Sequence, residues 1–132
     1  MTSHPFSMFG AALAVISLSA CEPKPVDGGE VYQAECATCH GVDARGGGEL
    51  APLLPKAPPD LTTIAFRNGG VFDRDRVMST IDGYHRPDSF AMDMPEFGAG
   101  DMGQIINVDG TPVPARLLAV TFYLESLQRA PE

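Results

Sequence analysis

Residues 36–40 read Cys36-Ala37-Thr38-Cys39-His40. On a helix, side chains three and four positions apart share a face, so Cys36, Cys39 and His40 are expected to point the same way. Thiols so placed can form thioethers to the two vinyl groups of one porphyrin while the imidazole reaches its iron, and the spacing is that of covalent haem c attachment. Two other uses of paired cysteines suit the chain less well. A zinc site needs a second pair of ligands, and outside this run the chain offers only Cys21, His4 and His85. A thioredoxin-like dithiol wants a βαβ context, and no apolar strand run precedes Cys36.

Upstream, Phe6 to Ala20 (FSMFGAALAVISLSA) is apolar, too short to span a bilayer, and closes on small residues, as an export signal does. Its end, Leu18-Ser19-Ala20-Cys21, resembles the lipobox of bacterial lipoproteins, which implies a lipid on Cys21 and cleavage just before it. The segment ahead of the apolar stretch carries no Lys or Arg, only His4, a departure from the usual basic start. The expected organisation is a leader over residues 1–20, a stiff tether over 21–27 (with Glu22 to Asp27 reading EPKPVD) and one domain over 28–132. All three cysteines then have a task, one for the lipid and two for thioethers, and none remains for a disulfide. Export and covalent haem both place the domain in the periplasm, held at a membrane by its lipid.

Nine Lys and Arg stand against seventeen Asp and Glu, a formal charge of −8. None of these charges falls in the first twenty residues, so the exported domain keeps the whole deficit. Such a surface disfavours nucleic acid and polybasic contact with lipid headgroups. Its natural complement is a redox protein with a basic docking surface. A chain of 132 residues buries only a modest core, and a rigid prosthetic group at its centre would supply much of the apolar contact.

Gly28 to Thr38 reads as the first helix, with Tyr32 one turn before Cys36 and Gly41 as its stop. A loop rich in Gly, Pro and Ala follows to Pro59. Asp60 is a suitable N-cap for a short helix through Arg67, closed by Asn68-Gly69-Gly70. Asp73 caps another, with Val77, Met78 and Ile81 on one face and Gly83 at its end. A loop runs from Tyr84 to Gly103, and Asp109-Gly110 marks a small hairpin within Ile105 to Val113, its second arm confined to an edge by Pro112. The last helix spans about Pro114 to Gln128, with a buried stripe of Leu117, Val120, Thr121, Leu124 and Leu127.

An iron held by His40 needs a sixth ligand or an open position. Of the six methionines, Met1 and Met8 fall in the leader and Met78 suits core packing, which leaves Met92, Met94 and Met102. Met94-Pro95-Glu96-Phe97-Gly98 stands out, because proline fixes the backbone just after the sulfur and an aromatic follows to shield the haem edge. His85, beside Arg86-Pro87, is the competing ligand, although a lone loop histidine more often faces solvent.

CATCHG near the start, Gly28-x-x-x-Tyr32 just before it, MPEFG late in the chain and a closing helix with Tyr123-Leu124 together resemble a monohaem class I cytochrome c, from about Gly28 to Gln128. The resemblance implies an all-α fold of several short helices and Gly/Pro-rich loops wrapped around one covalent haem c. It implies Met94 as the sixth iron ligand, and a close crossing in which Gly28 and Tyr32 face Val120 and Tyr123. It also implies a proline whose carbonyl accepts the second N–H of the haem histidine. Pro52 matches by its distance after His40 and the Leu53-Leu54 that follows, with Pro58 and Pro59 as competitors. Arg86 and Tyr84 are placed to pair with a haem propionate. The stretch from Ala99 to Pro114 is longer than the usual link to the last helix, and forms either a hairpin near the haem edge or a docking surface. The implied function is one-electron transfer, with no enzymatic reaction at a saturated iron. A haem-bearing relay subunit of a membrane-associated oxidoreductase and a haem-based gas sensor are the alternatives.

Overall fold

A computed structural model describes residues 24–84 and 94–130. The leader, Cys21, and the segment holding His85, Arg86 and Met92 lie outside the described residues. Helix α1 (Gly28–Glu35) starts because the Asp27 carboxylate accepts the N–H groups of Gly29 and Glu30, at 2.8 and 3.1 Å, which intrahelical bonds leave free. It does not run on to Thr38 as its pattern suggests. The backbone departs from helix at Cys36 (φ −117°, ψ −35°), and a single turn, α2 (Ala37–His40), follows. The N–H groups of Cys39 and His40 both donate to the Cys36 carbonyl, at 3.2 and 2.9 Å, so the three motif residues keep their spacing around one turn. Gly41 (φ 81°) stops α2 in a backbone conformation that a side chain would strain.

The loop that follows folds back on α2. N–H groups of Gly46, Gly48 and Leu50 donate to the carbonyls of His40, Cys39 and Thr38 at 2.7, 3.1 and 2.9 Å, closing the C-terminal end of the turn. A Cβ on Gly48 would strike the Thr38 and Cys39 main chain, so only glycine permits this approach. The expected helix from Asp60 is split into a 3-10 turn over Leu61–Thr63 and α3 (Ile64–Arg67), still capped by Asp60, which accepts the Thr62 N–H at 2.8 Å. Helix α4 (Arg74–Asp82) is capped by Asp73 and ends at Gly83, which is left-handed. The hairpin pairs β1 (Ile105–Val108) with β2 (Thr111–Pro114) antiparallel, Ile106 opposite Val113 and Asn107 opposite Pro112. Asp109 and Gly110 both take positive φ at its tip (50° and 88°), as a two-residue turn matching the strand twist requires.

Helix α5 (Ala115–Ser126) closes the fold. Its Leu117, Val120 and Leu124 pack with Val31 and Tyr32 of α1 and with Val77 and Ile81 of α4. Thr121 is buried too, its hydroxyl satisfied by the Leu117 carbonyl at 2.8 Å. Where α1 crosses α5, the missing Cβ of Gly28 makes room for the Ala119 carbonyl, and the Tyr32 and Tyr123 rings meet at 5.4 Å. The architecture is all-α with one added hairpin, and its core lies between α1, α4 and α5.

Candidate haem site

Cys36 and Cys39 are half-buried free thiols on one turn of backbone. Burial pushes the Cys36 thiol up to about 11, with the nearby Glu35 and Cys39 adding to the rise. His40 beside them is buried, and burial draws its imidazole below the ordinary histidine range, opposed by the backbone carbonyl of Pro59. Its Nδ1 is buried and makes no hydrogen bond of ordinary geometry. A polar ring atom left that way inside a small domain is costly unless the site is built for something more.

Pro59 is the proline whose carbonyl raises the His40 imidazole, while Nδ1 donates no hydrogen bond to any proline. Pro52 stands on an exposed 3-10 turn (Ala51–Leu53), where the chain swings out from α2. The chain then returns. Gly46, bonded to the His40 carbonyl, leaves room for the Pro58 carbonyl, and the Leu61 N–H donates to Ala44 at 2.8 Å. Counting residues from His40 cannot reveal which proline comes back, because the intervening loop is held by contacts to α2 and not by its length.

The MPEFG segment is seated on the end of α4. Gly98 approaches Asp82 so closely that a Cβ would collide with its carboxylate and carbonyl, and Gly83 lies against the Glu96 side chain. Met94 and Phe97 are half-buried against the core, as is Met102. A cavity of about 280 Å³ opens beside Cys36, lined by Val31, Ile81, Phe97, Met102 and Val120, among others. Met102 therefore shares a cavity wall with Cys36, and Met94 packs on the same core without lining it. The proposed propionate partner Arg86 lies outside the described residues, and Tyr84 is exposed.

Two contacts escape the sequence pattern. The Tyr32 hydroxyl donates to the Gly41 carbonyl at 2.6 Å, tying α1 to the end of the cysteine-histidine turn. Burial, with the neighbouring Cys36, Tyr123 and Asp43, keeps that phenol protonated well above the ordinary range. Arg116 joins three segments at the cavity rim. It donates to Glu35 Oε1 at 2.9 Å and to the Asp101 carbonyl at 3.1 Å, while its main-chain N–H donates to the Met102 carbonyl at 3.1 Å. Glycine at 28 signals a close approach, but nothing in the sequence signals a pairing between residues as far apart as Glu35 and Arg116.

The family model described as Cytochrome c matches residues 25–107. The chain belongs to the cytochrome c family. No curated protein and no solved structure matches it. Family membership carries haem-based electron transfer with a covalently attached haem c. The matched region holds the cysteine-histidine turn, Met94 and Met102; α5, which closes the cytochrome's core, lies beyond it.

The residues fit the group. An iron on Nε2 would leave the proton on Nδ1, the buried atom that makes no hydrogen bond. The half-buried thiols of Cys36 and Cys39 are free to form thioethers, and the cavity beside Cys36 is apolar along Val31, Ile81, Phe97, Met102 and Val120, with Glu35, Glu96, Asp101 and Arg116 also in its lining.

Proposed function

We propose that this cytochrome c is a single-haem, one-electron carrier of the periplasm, with His40 and Met94 as axial ligands and a lipid on Cys21. The observation that carries the reading is the buried, unpartnered Nδ1 of His40 on the same turn as two free thiols. When bound, the haem iron supplies the one-electron couple. Cys36 and Cys39 would hold the group covalently, and His40 would bind its iron through Nε2, leaving the proton on the buried Nδ1. The Pro95 ring stiffens the chain beside the Met94 sulfur, and Phe97 packs half-buried against the core on that side. A thioether ligand in apolar surroundings favours the reduced state and raises the potential.

The −8 charge supports partners with basic docking surfaces and argues against nucleic acid. The Leu18-Ser19-Ala20-Cys21 run supports lipid anchoring at a membrane facing the periplasm. Because Met102 lines the cavity beside Cys36, it is the alternative sixth ligand.

The test is absorption spectroscopy of the holo-protein, oxidised and reduced, with and without carbon monoxide, for wild type, Met94→Ala and Met102→Ala. A methionine-to-ferric-iron charge-transfer band that Met94→Ala abolishes and Met102→Ala retains supports the assignment. Loss of the band in Met102→Ala alone moves the ligand to Met102. A wild-type spectrum altered by carbon monoxide replaces the carrier with a gas sensor, and a stable co-purifying enzyme makes it a relay subunit.

A further inference from the structure

We infer that Arg116 is a positioning residue of the haem site: it holds Met102 at the cavity beside Cys36, and through Met102 it sets the potential of the couple. The inference rests on a haem held at Cys36 and Cys39. Met102 is the middle residue of a turn in which the Asp101 carboxylate accepts the Gly103 N–H at 2.9 Å. The peptide groups on both sides of it are bonded to Arg116. The guanidinium donates through Nη1 to the Asp101 carbonyl at 3.1 Å, and the main-chain N–H of Arg116 donates to the Met102 carbonyl at 3.1 Å. The Ala115 N–H donates to the Gln104 carbonyl at 2.9 Å, so the stretch from Asp101 to Gln104 lies along the start of α5. Gly103 takes φ 80°, and a Cβ there would stand 3.2 Å from Arg116 Cγ, so the turn rests on the arginine stem as well.

The far side of the guanidinium fixes where this turn stands relative to the cysteines. Its Nη2 donates to Glu35 Oε1 at 2.9 Å, and Glu35 directly precedes Cys36. A planar guanidinium presents separated donors in a fixed fork, so one side chain spans α1, the Met102 turn and α5. The Arg116 and Glu35 side chains are 31 % and 42 % exposed, and a pair so open to solvent adds little to global stability. Its effect is on position.

Position matters because Cys36, Met102 and Arg116 line one cavity, whose wall also includes the carboxylates Glu35, Glu96 and Asp101. Polarity and solvent access around a haem tune its potential. Met102 brings an apolar thioether side chain to that wall. Its withdrawal leaves carboxylates and water beside Cys36, and both favour the more positively charged ferric state. Loss of Arg116 therefore lowers the potential by two routes, one through the uncovered charge of Glu35 and one through the displaced Met102. A charge-neutral pair of substitutions separates them.

The experiment uses holo-protein with covalent haem first verified in the wild type. In the reduced protein the porphyrin ring current displaces nearby proton signals, steeply with distance. The Met102 methyl signal, identified by its absence from Met102→Leu, therefore reports where that side chain stands. This signal and the midpoint potential are measured for wild type, Arg116→Ala, and Arg116→Ala combined with Glu35→Gln, in which the two charges lost cancel. The control is Arg74→Gln, which cuts a 2.8 Å bond to Glu125 between α4 and α5, away from this cavity. The expected result is a Met102 signal moved toward its unfolded-chain position and a lowered potential in both Arg116 variants, with the larger fall in the single one. Arg74→Gln changes neither. A Met102 signal unmoved in Arg116→Ala, or a potential unshifted in the charge-neutral double variant, overturns the inference and leaves Arg116 acting through its charge alone. Equal changes in Arg74→Gln overturn it as a general loosening of α5. Absence of covalent haem from the wild type overturns instead the reading of Cys36 and Cys39.

Discussion

Replacing Gly28 with alanine sets a methyl group against the Ala119 carbonyl, and 2.9 Å from the Cβ of Tyr123. The first neighbour is main chain inside a helix, so it cannot rotate away, and α1 and α5 must separate. Forcing extra volume into a packed contact costs about 1–3 kcal/mol. Against this, alanine restricts the unfolded chain and returns about 0.4–1 kcal/mol. The net expectation is a loss of about 1–2 kcal/mol, or a fall in Tm of roughly 5–15 °C for a domain of this size. Two controls isolate the cause. Gly47 has open space around it, so alanine there keeps only the entropic gain and is neutral or stabilising. Gly29 meets Asp27 Oδ1 at 3.2 Å and the Tyr123 ring at 3.3 Å, both side-chain atoms that can give, and its variant falls between the two. Thermal and denaturant unfolding of the holo-proteins, followed by haem absorbance and far-ultraviolet dichroism, measure all three. A Gly28→Ala protein as stable as Gly47→Ala refutes the close crossing.

Tyr32→Phe keeps the ring contact with Tyr123 and removes the hydroxyl bond to Gly41. Because the Gly41 carbonyl retains the Ala44 N–H at 3.1 Å, the loss in a denaturant titration stays near about 1 kcal/mol, below the cost of a wholly orphaned group. Gly110→Ala strains a left-handed turn residue with open surroundings and costs about 1–2 kcal/mol in the same assay, while the haem spectrum stays unchanged. For Asp60, burial raises the carboxyl, but bonds from the Thr62 hydroxyl and N–H, with Arg129 and Arg45 nearby, outweigh it and hold it below the ordinary aspartate range. A carboxyl depressed in the folded state contributes stability above its unfolded pKa and loses it as pH falls through the folded one. Stability of the wild type therefore declines more steeply on acidification than that of Asp60→Asn, and parallel acid profiles refute this.

Local signals were the most legible part of this sequence. Asp60 and Asp73 cap helices, Gly83 ends one, and Asp109-Gly110 turns a hairpin, because each choice is decided within a few residues of backbone. Leu117, Val120, Thr121 and Leu124 of the α5 stripe were legible for the same reason, their period being a property of the helix alone, whereas Leu127 falls past the helix end and is only half-buried. The boundaries that failed, at Cys36 and within 61–67, lie where the chain bends to make contacts that propensity does not see. Pro52 is the instructive case. Pro52, Pro58 and Pro59 follow His40 at plausible distances, and which of them comes back beside the turn depends on Gly46 and Gly48 letting the loop press against α2. Those glycines read as mere flexibility in the sequence, and in the fold they are the places where two backbones touch. The same holds for Gln128 and Arg129, which look like a polar helix end and instead carry bonds to main-chain groups more than sixty residues away. The cysteines and histidine announce the chemistry because their spacing is local. The groups around it are dispersed, since they come together only through elements that meet in three dimensions. Arg116 is the clearest case: it ties Glu35 of α1 to the Asp101 and Met102 carbonyls, and no local pattern could place those three partners at one rim.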